Sequence, residues 1–235
     1  TWEKLGYPGS YRFYQYLINN GEKIKRKQVD DFLQQQVSTQ LHKKINTTKY
    51  DIPIISPFLN FLWMIDLVDM SSFSHENKGF KWIFVCIDVY SRFLYAVPCK
   101  NKEASTTVLA FKHIIDLGDK PVQIRSDDGK EWMGDFKKFV DEQGIIHQKA
   151  ETGDHRKLGI IDRVIQTLKN SLYKYFTEND TTTWYEILDD FVKSYNDTPH
   201  SGIGDLTPNE AKKYPGTMRD IMTEKIDSVV QSDIK

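Results

Sequence analysis

Two runs, "FLWMIDLVDM" (61–70) and "KWIFVCIDVY" (81–90), are apolar on both faces. A segment of that length with no polar face fits one place in a folded domain, a central strand covered on both sides. "SSFSHENKG" between them is a polar loop, and "FLYAVPC" (93–99) follows the turn signal "SR", so the three predict an antiparallel meander. The pattern then alternates. "EASTTVLAFKHIIDLG" predicts a helix closed by Gly118, "PVQIRS" a short strand, "EWMGDFKKFVDEQG" a helix and "IIHQKA" another strand. From residue 157 the chain is helical again, with Ile161, Val164, Leu168 and Leu172 on one buried face, and Trp184–Tyr195 forms a further helix. The expected architecture is α/β, a mixed sheet with helices packed on it.

Residues 1–46 predict a small helical N-terminal domain. "YRFYQYLINN" and "KRKQVDDFLQQQVSTQLHKK" place apolar residues three and four apart, including Val29, Phe32, Leu33, Val37 and Leu41, with "NNG" as the break. Tyr11, Phe13, Tyr14 and Tyr16 are read as core packing in preference to base stacking. Residues 47–60, with two prolines, read as a linker, 61–215 as the core, and 216–235 as a helical or flexible extension.

The charge is balanced, 32 Lys+Arg against 33 Asp+Glu, so the chain lacks the strongly basic footprint of many nucleic-acid binders. The basic stretches "KIKRK" (23–27) and "HKKINTTK" (42–49) are local. Cys86 and Cys99 are too few for a disulfide framework and form no CxxC pattern, which suggests buried thiols in a reducing compartment. No apolar run approaches a bilayer span and no signal peptide is visible, so the expectation is a soluble, intracellular protein without membrane contact.

Three acids then stand out. Asp66 lies inside an apolar strand, where a charge costs several kcal/mol unless paired, metal-bound or open to a cleft. Asp127 follows a strand in "SDDGKEW", and Asp162 begins the helix "KLGIIDRVIQTLKN". Each alone has a plain reading: a structural acid, a turn residue, a solvated carboxylate near a positive helix end. Together they suit two Mg²⁺ or Mn²⁺ ions about 4 Å apart, which clamp the attacking and leaving oxygens of a phosphoryl displacement.

In order along the chain, "WMIDLVDM", "IDVYSRFLYAVPCKNK", "IRSDDGKEW", "GIIDRVIQTLK" and "YNDTPHSGIGDLTPNEA" resemble the integrase core of the retroviral and retrotransposon superfamily, most closely in Polinton/Maverick DNA transposons. The likeness covers most of residues 55–213, and residues 1–46 resemble the zinc-free helical segment preceding that core. It implies an RNase H-like five-stranded sheet flanked by helices, and a catalytic, metal-binding triad of Asp66, Asp127 and Asp162. Asp128 stands where the motif has Asn, and Asp162 where it usually has Glu. Thr167, Leu168 and Lys169 match the helix motif; Val164, Ile165 and Gln166 depart from it. Mariner-type transposases resemble this chain in using a third Asp at the same separation from the second. Lys169, about 10.5 Å along the helix from Asp162, falls on the family's DNA-contacting lysine. Gln166 is a weaker candidate for a base edge or phosphate, and His155, Arg156 and Lys157 give a basic character to the loop "ETGDHRKLG". Glu131 reads as a fourth ligand or as a helix N-terminal acid. Asp88, Ser91 and Arg92 read as a turn, and His200 as a packing residue.

The resemblance implies two-metal nicking of 3′ ends and strand transfer of element DNA into target DNA. The partners would be double-stranded DNA and further copies of the chain, in the nucleus or a virion. Two alternatives share the fold: a domesticated, weakened DNA- or protein-binding module, and an RNase H-like nuclease.

Overall fold

A computed structural model describes residues 2–36, 38, 54–150 and 155–233. Five strands form one sheet in the order β3-β2-β1-β4-β5: β1 (Leu62–Asp69), β2 (Trp82–Asp88), β3 (Leu94–Cys99), β4 (Gln123–Ser126) and β5 (Ile146–Lys149). The first three make the antiparallel meander, while β4 and β5 join parallel to β1. This is the RNase H-like mixed sheet that the sequence led us to expect.

Alternation along β1 divides the core. Trp63 and Ile65 point to one side with Phe84, Cys86 and Ile124, and are covered by α3 (Ala104–Asp116), α4 (Asp135–Glu142) and Trp132. Leu62, Met64 and Val68 point to the other, with Ile83, Val85 and Ile87. That face is covered by α5 (Gly159–Asn179), through Ile161, Val164, Leu168 and Leu172, and by α6 (Leu188–Asn196). The N-terminal helices α1 (Ser10–Asn19) and α2 (Arg26–Gln35) contribute Phe13, Val29 and Leu33 to this same cluster. Trp2 and Tyr7 join them. Of the four N-terminal aromatics, Phe13 is buried, Tyr14 packs against the core, and Tyr11 donates its hydroxyl to Asp205. A smaller cluster, Tyr90, Ile203, Ala211, Met218 and Met222, ties α7 (Pro208–Lys213) and α8 (Pro215–Asp233) to the turn after β2.

Two predicted helices differ from expectation. The one over 131–144 is a 3-10 turn, Lys130–Trp132, and a separate α4, because Gly134 takes φ +55° between them. The one expected at Trp184 begins at Leu188, because the Trp184 and Tyr185 N–H groups donate to Asn77 Oδ1 (2.6 and 2.9 Å). Residues 37 and 39–44 of the predicted second helix, with Val37 and Leu41, and 47–53 of the linker lie outside the described residues. Cys86 and Cys99 are buried free thiols. Among the described residues no helix is long and apolar enough to cross a membrane.

Candidate active site

Asp66 shares the β1 face that α5 covers, since it alternates with Met64 and Val68. One carboxylate oxygen accepts the Leu67 N–H at 2.7 Å. Burial pushes its carboxyl up to about 7; the Leu67 N–H opposes this, and the negative fields of Asp127, Asp162 and Glu131 add to it. Three acids from beyond β1 therefore act on Asp66 here.

Asp127 reaches this place through strand register. β1 and β4 pair as Leu62 with Gln123, Trp63 with Ile124 and Met64 with Arg125. The same offset brings Asp127, the first residue after β4, alongside Asp66, near the carboxyl ends of two parallel strands, where open α/β sheets place ligands. Asp127 is exposed, but its carboxylate is aimed: the buried Trp132 donates Nε1–H at 2.6 Å and Gly129 its N–H at 3.2 Å. A further pair steadies the strand end. Burial pulls the His147 ring down to about 4, so it is neutral and donates from Nε2 to Ser126 Oγ (2.9 Å). The Ser126 hydroxyl in turn donates to the Asp127 carbonyl (2.7 Å).

Asp162 lies in the first turn of α5, exposed, between residues whose apolar neighbours seat the helix on β1 and β2. The helix start favours its charge. Among the described residues, no three His, Cys, Asp or Glu side chains stand in an arrangement that would hold one ion. The acids act on Asp66 through their charge without closing on a point, as mutual repulsion of carboxylates favours.

Other candidates separate clearly. Asp128 turns away to an ion pair with Lys149 at 2.6 Å. Glu131 sits in the 3-10 turn, its carboxyl folded over Gly129 so closely that a Cβ there would lie 2.6 Å from it. Sequence reading left Glu131 between ligand and helix acid; its charge adds to the fields that raise the Asp66 carboxyl. Lys169 is half-buried and its charge, with that of Lys102, helps hold Asp69 at the end of β1 below the usual carboxylate range, after the dominant Ser71 hydrogen bond. Gln166 and Lys157 are half-buried on the same helix and its approach, and the Lys157 carbonyl accepts from Arg125. His155 and Arg156 lie in the 3-10 turn His155–Leu158, but their side chains, and residues 151–154, lie outside the described residues.

"DVYSR" is the expected turn: Asp88 accepts from Ser91 N (2.7 Å), Ser91 Oγ (2.6 Å) and Asn60 N (3.1 Å), and Arg92 takes φ +60°. Asn196 closes the sheet edge by exchanging two 2.9 Å bonds with the Leu94 backbone, and Thr207 with Glu210 caps α7.

The family model described as "Integrase core domain" matches residues 60–155. A putative uncharacterized transposon-derived protein of Caenorhabditis elegans is 30% identical over 136 residues, 57% of this chain and 47% of its own length. The Gag-Pro-Pol polyprotein of squirrel monkey retrovirus is 25% identical over 114 residues, 48% of this chain and 6% of its own. The chain thus spans about half of the first relative and a small part of the second. In fold, it is similar to a chain of the simian T-cell lymphotropic virus intasome (TM-score 0.56, 18% identity, 77% of this chain and 63% of that one). It is also similar to the HTLV-2 integrase catalytic core domain in complex with magnesium (TM-score 0.52, 22% identity, 64% of this chain and 94% of that one). Sequence match and fold point the same way: residues 60–155 match the integrase core model, and the chain has the RNase H-like fold of integrase catalytic cores.

Proposed function

We propose that this core is a metal-dependent polynucleotidyl transferase that nicks the 3′ ends of element DNA and joins them to target DNA. The observation that carries the reading is Asp66: a carboxylate inside a core strand, raised to about 7, and facing three further acids from other elements. A donor set of carboxylate oxygens suits Mg²⁺ or Mn²⁺ and gives a transition metal of softer preference little to prefer. When bound, a pair of such ions supplies Lewis-acid stabilisation of the phosphoryl group and an activated oxygen nucleophile. Asp66, Asp127 and Asp162 would hold them, Glu131 adding negative charge beside Asp66. Trp132 and Gly129 orient Asp127, and α5 carries Lys169 and Gln166 toward a phosphate flanking the cut, with His155, Arg156 and Lys157 on its approach. Double-stranded DNA as substrate and a homo-oligomer as the working assembly follow from the same reading, as does action in the nucleus or a virion. The intasome and the dimeric HTLV-2 core among the similar structures support the assembly, and the order of motifs supports a Polinton/Maverick-type element.

The third acid supplies a test. Asp162→Glu extends the carboxylate by one methylene toward the cluster, and Mg²⁺-dependent nicking should rise by about tenfold, ~1.4 kcal/mol of barrier. An unchanged rate would remove Asp162 from the ligand set. Proton linkage supplies another. Asp66 must be ionised to hold a cation, so the apparent Mn²⁺ affinity should climb by about tenfold per pH unit between pH 5 and 7 and level off above. Calorimetry showing a flat profile over that range would contradict this.

A second reading, a weakened module that binds without cutting, is favoured by the one observation that the acids do not close on a single point. Metal-dependent nicking of a plasmid by the unaltered protein decides between the two.

A further inference from the structure

On the side of α5 toward α1 runs a cleft of about 490 Å³ that opens into a chamber of about 130 Å³. Arg12 from α1 and Arg163 from α5 line both; Lys174 lines the larger and Arg92 the smaller. Among the described residues no Asp or Glu lines either, although the whole chain carries 33 acids against 32 bases. Nor does any of these four cations have an ion pair among the described residues.

The hydrogen-bond partners of Arg12, Arg92 and Lys174 are neutral. Arg12 donates Nη2–H to His200 Nδ1 at 2.8 Å and lies over the Tyr195 ring at 5.3 Å. An arginine has only donors, so His200 accepts at Nδ1 and carries its proton on Nε2, which donates to the Tyr195 carbonyl at 3.2 Å. His200 is therefore neutral, consistent with a ring pulled down to about 3 by burial and by the Arg12 charge. Arg92 donates to the Val89 carbonyl. Asp88, whose charge acts on Arg92 without pairing with it, accepts from Ser91 and Asn60, and Asp205 takes the Tyr11 hydroxyl. Lys174 donates to the Tyr7 carbonyl and lies over Trp2. Burial lowers both the Arg12 and Arg92 guanidinium values, the mark of charge held away from water. Half-buried cations without a counter-ion are costly unless an anion completes the site, and guanidinium groups match the flat pairs of oxygens on a phosphate.

We propose that this cleft binds a phosphate group, and that the group is a backbone phosphate of the DNA strand bound at the acid cluster. Arg163 follows Asp162 directly in α5, so one strand crossing the start of that helix passes both places. The choice of DNA as source rests on the proposed function; the phosphate site itself does not.

The test uses the whole chain in EDTA, which separates it from metal-dependent cutting. Inorganic phosphate should raise the Tm of the unaltered protein above that in chloride at equal ionic strength, and Arg163→Gln and Arg12→Gln should each remove the rise. Fluorescence anisotropy with a duplex oligonucleotide should show about tenfold weaker binding for each variant and a salt slope reduced by about one. Arg163 is exposed, so its variant keeps the test valid if Arg12→Gln does not fold. Loss of the phosphate response with unchanged duplex affinity overturns the DNA source; no phosphate response in the unaltered protein overturns the site. No nicking by the unaltered protein in a separate Mg²⁺ assay, with both responses intact, would instead count against the catalytic reading alone.

Discussion

Asp66→Asn is expected to lower nicking and strand transfer by about a thousandfold or more, while making the metal-free protein more stable at neutral pH. The two effects have one cause. In the folded chain the Asp66 carboxyl is raised to about 7, chiefly by burial, with the carboxylates of Asp127, Asp162 and Glu131 adding to it. Its folded value lies above the ordinary carboxylate value of about 3.9. The stabilisation from holding the proton is therefore fully present below about pH 4 and is lost as pH rises through about 7. At pH 8 the ionised group opposes folding, and Asn, which has nearly the same shape and no charge, relieves that by about 1–3 kcal/mol. The same missing charge leaves a cation without its central oxygen donor. Thermal unfolding at pH 8 and pH 5 reads the first effect: the variant should gain at pH 8 and little at pH 5. A variant that loses stability at pH 8 would show that Asp66 is a structural acid.

Asn77→Ala is expected to be the most damaging single change away from the acids. Asn77 is fully buried in the loop between β1 and β2 and uses both ends of its amide. Nδ2 donates to the carbonyls of Phe73 (2.6 Å) and Thr182 (3.0 Å), and Oδ1 accepts the N–H groups of Trp184 and Tyr185. It thereby ties the β1–β2 loop to the turn joining α5 and α6, and seats Trp184 in the core that holds α5 on the sheet. Alanine strands two buried N–H groups and two carbonyls. The expected loss is about 2–4 kcal/mol, a fall in Tm of about 5–15 °C. Because α5 carries Asp162, metal affinity should fall with it. A Tm within two degrees of the parent would show that water replaces the amide.

These two residues mark what a sequence can and cannot disclose. Asp66 is legible because an ionisable group in an unbroken apolar strand violates the pattern around it. Its strand and neighbours announce themselves by continuous hydrophobicity, and all five strands and the order of the helices followed. The meeting of Asp66 with Asp127 is less visible: it depends on β4 joining β1 in parallel and on a register that no local pattern encodes. Trp132, Ser126 and His147, which aim and steady Asp127, look in the sequence like ordinary core and strand residues. Asn77 sits in a polar loop where asparagine is unremarkable, and three of its four bonds run to residues more than a hundred positions away. The late start of α6 has the same origin, since a long-range acceptor outbids the helix for the Trp184 N–H. Gly134 was visible, but an isolated glycine in an apolar helical period reads as tolerated until its φ is known. The cleft beside α5 was hidden for a different reason. A balanced total charge conceals a local excess of cations that only the fold assembles.

The most direct test of the central claim is a calorimetric titration of the unaltered chain with Mn²⁺ at pH 8, repeated on Asp66→Asn, Asp127→Asn and Asp162→Asn. Convergence of the three acids predicts saturable binding in the parent and a loss of affinity of about tenfold or more in every variant. Equal affinity across all four proteins, or no binding to the parent, would contradict it.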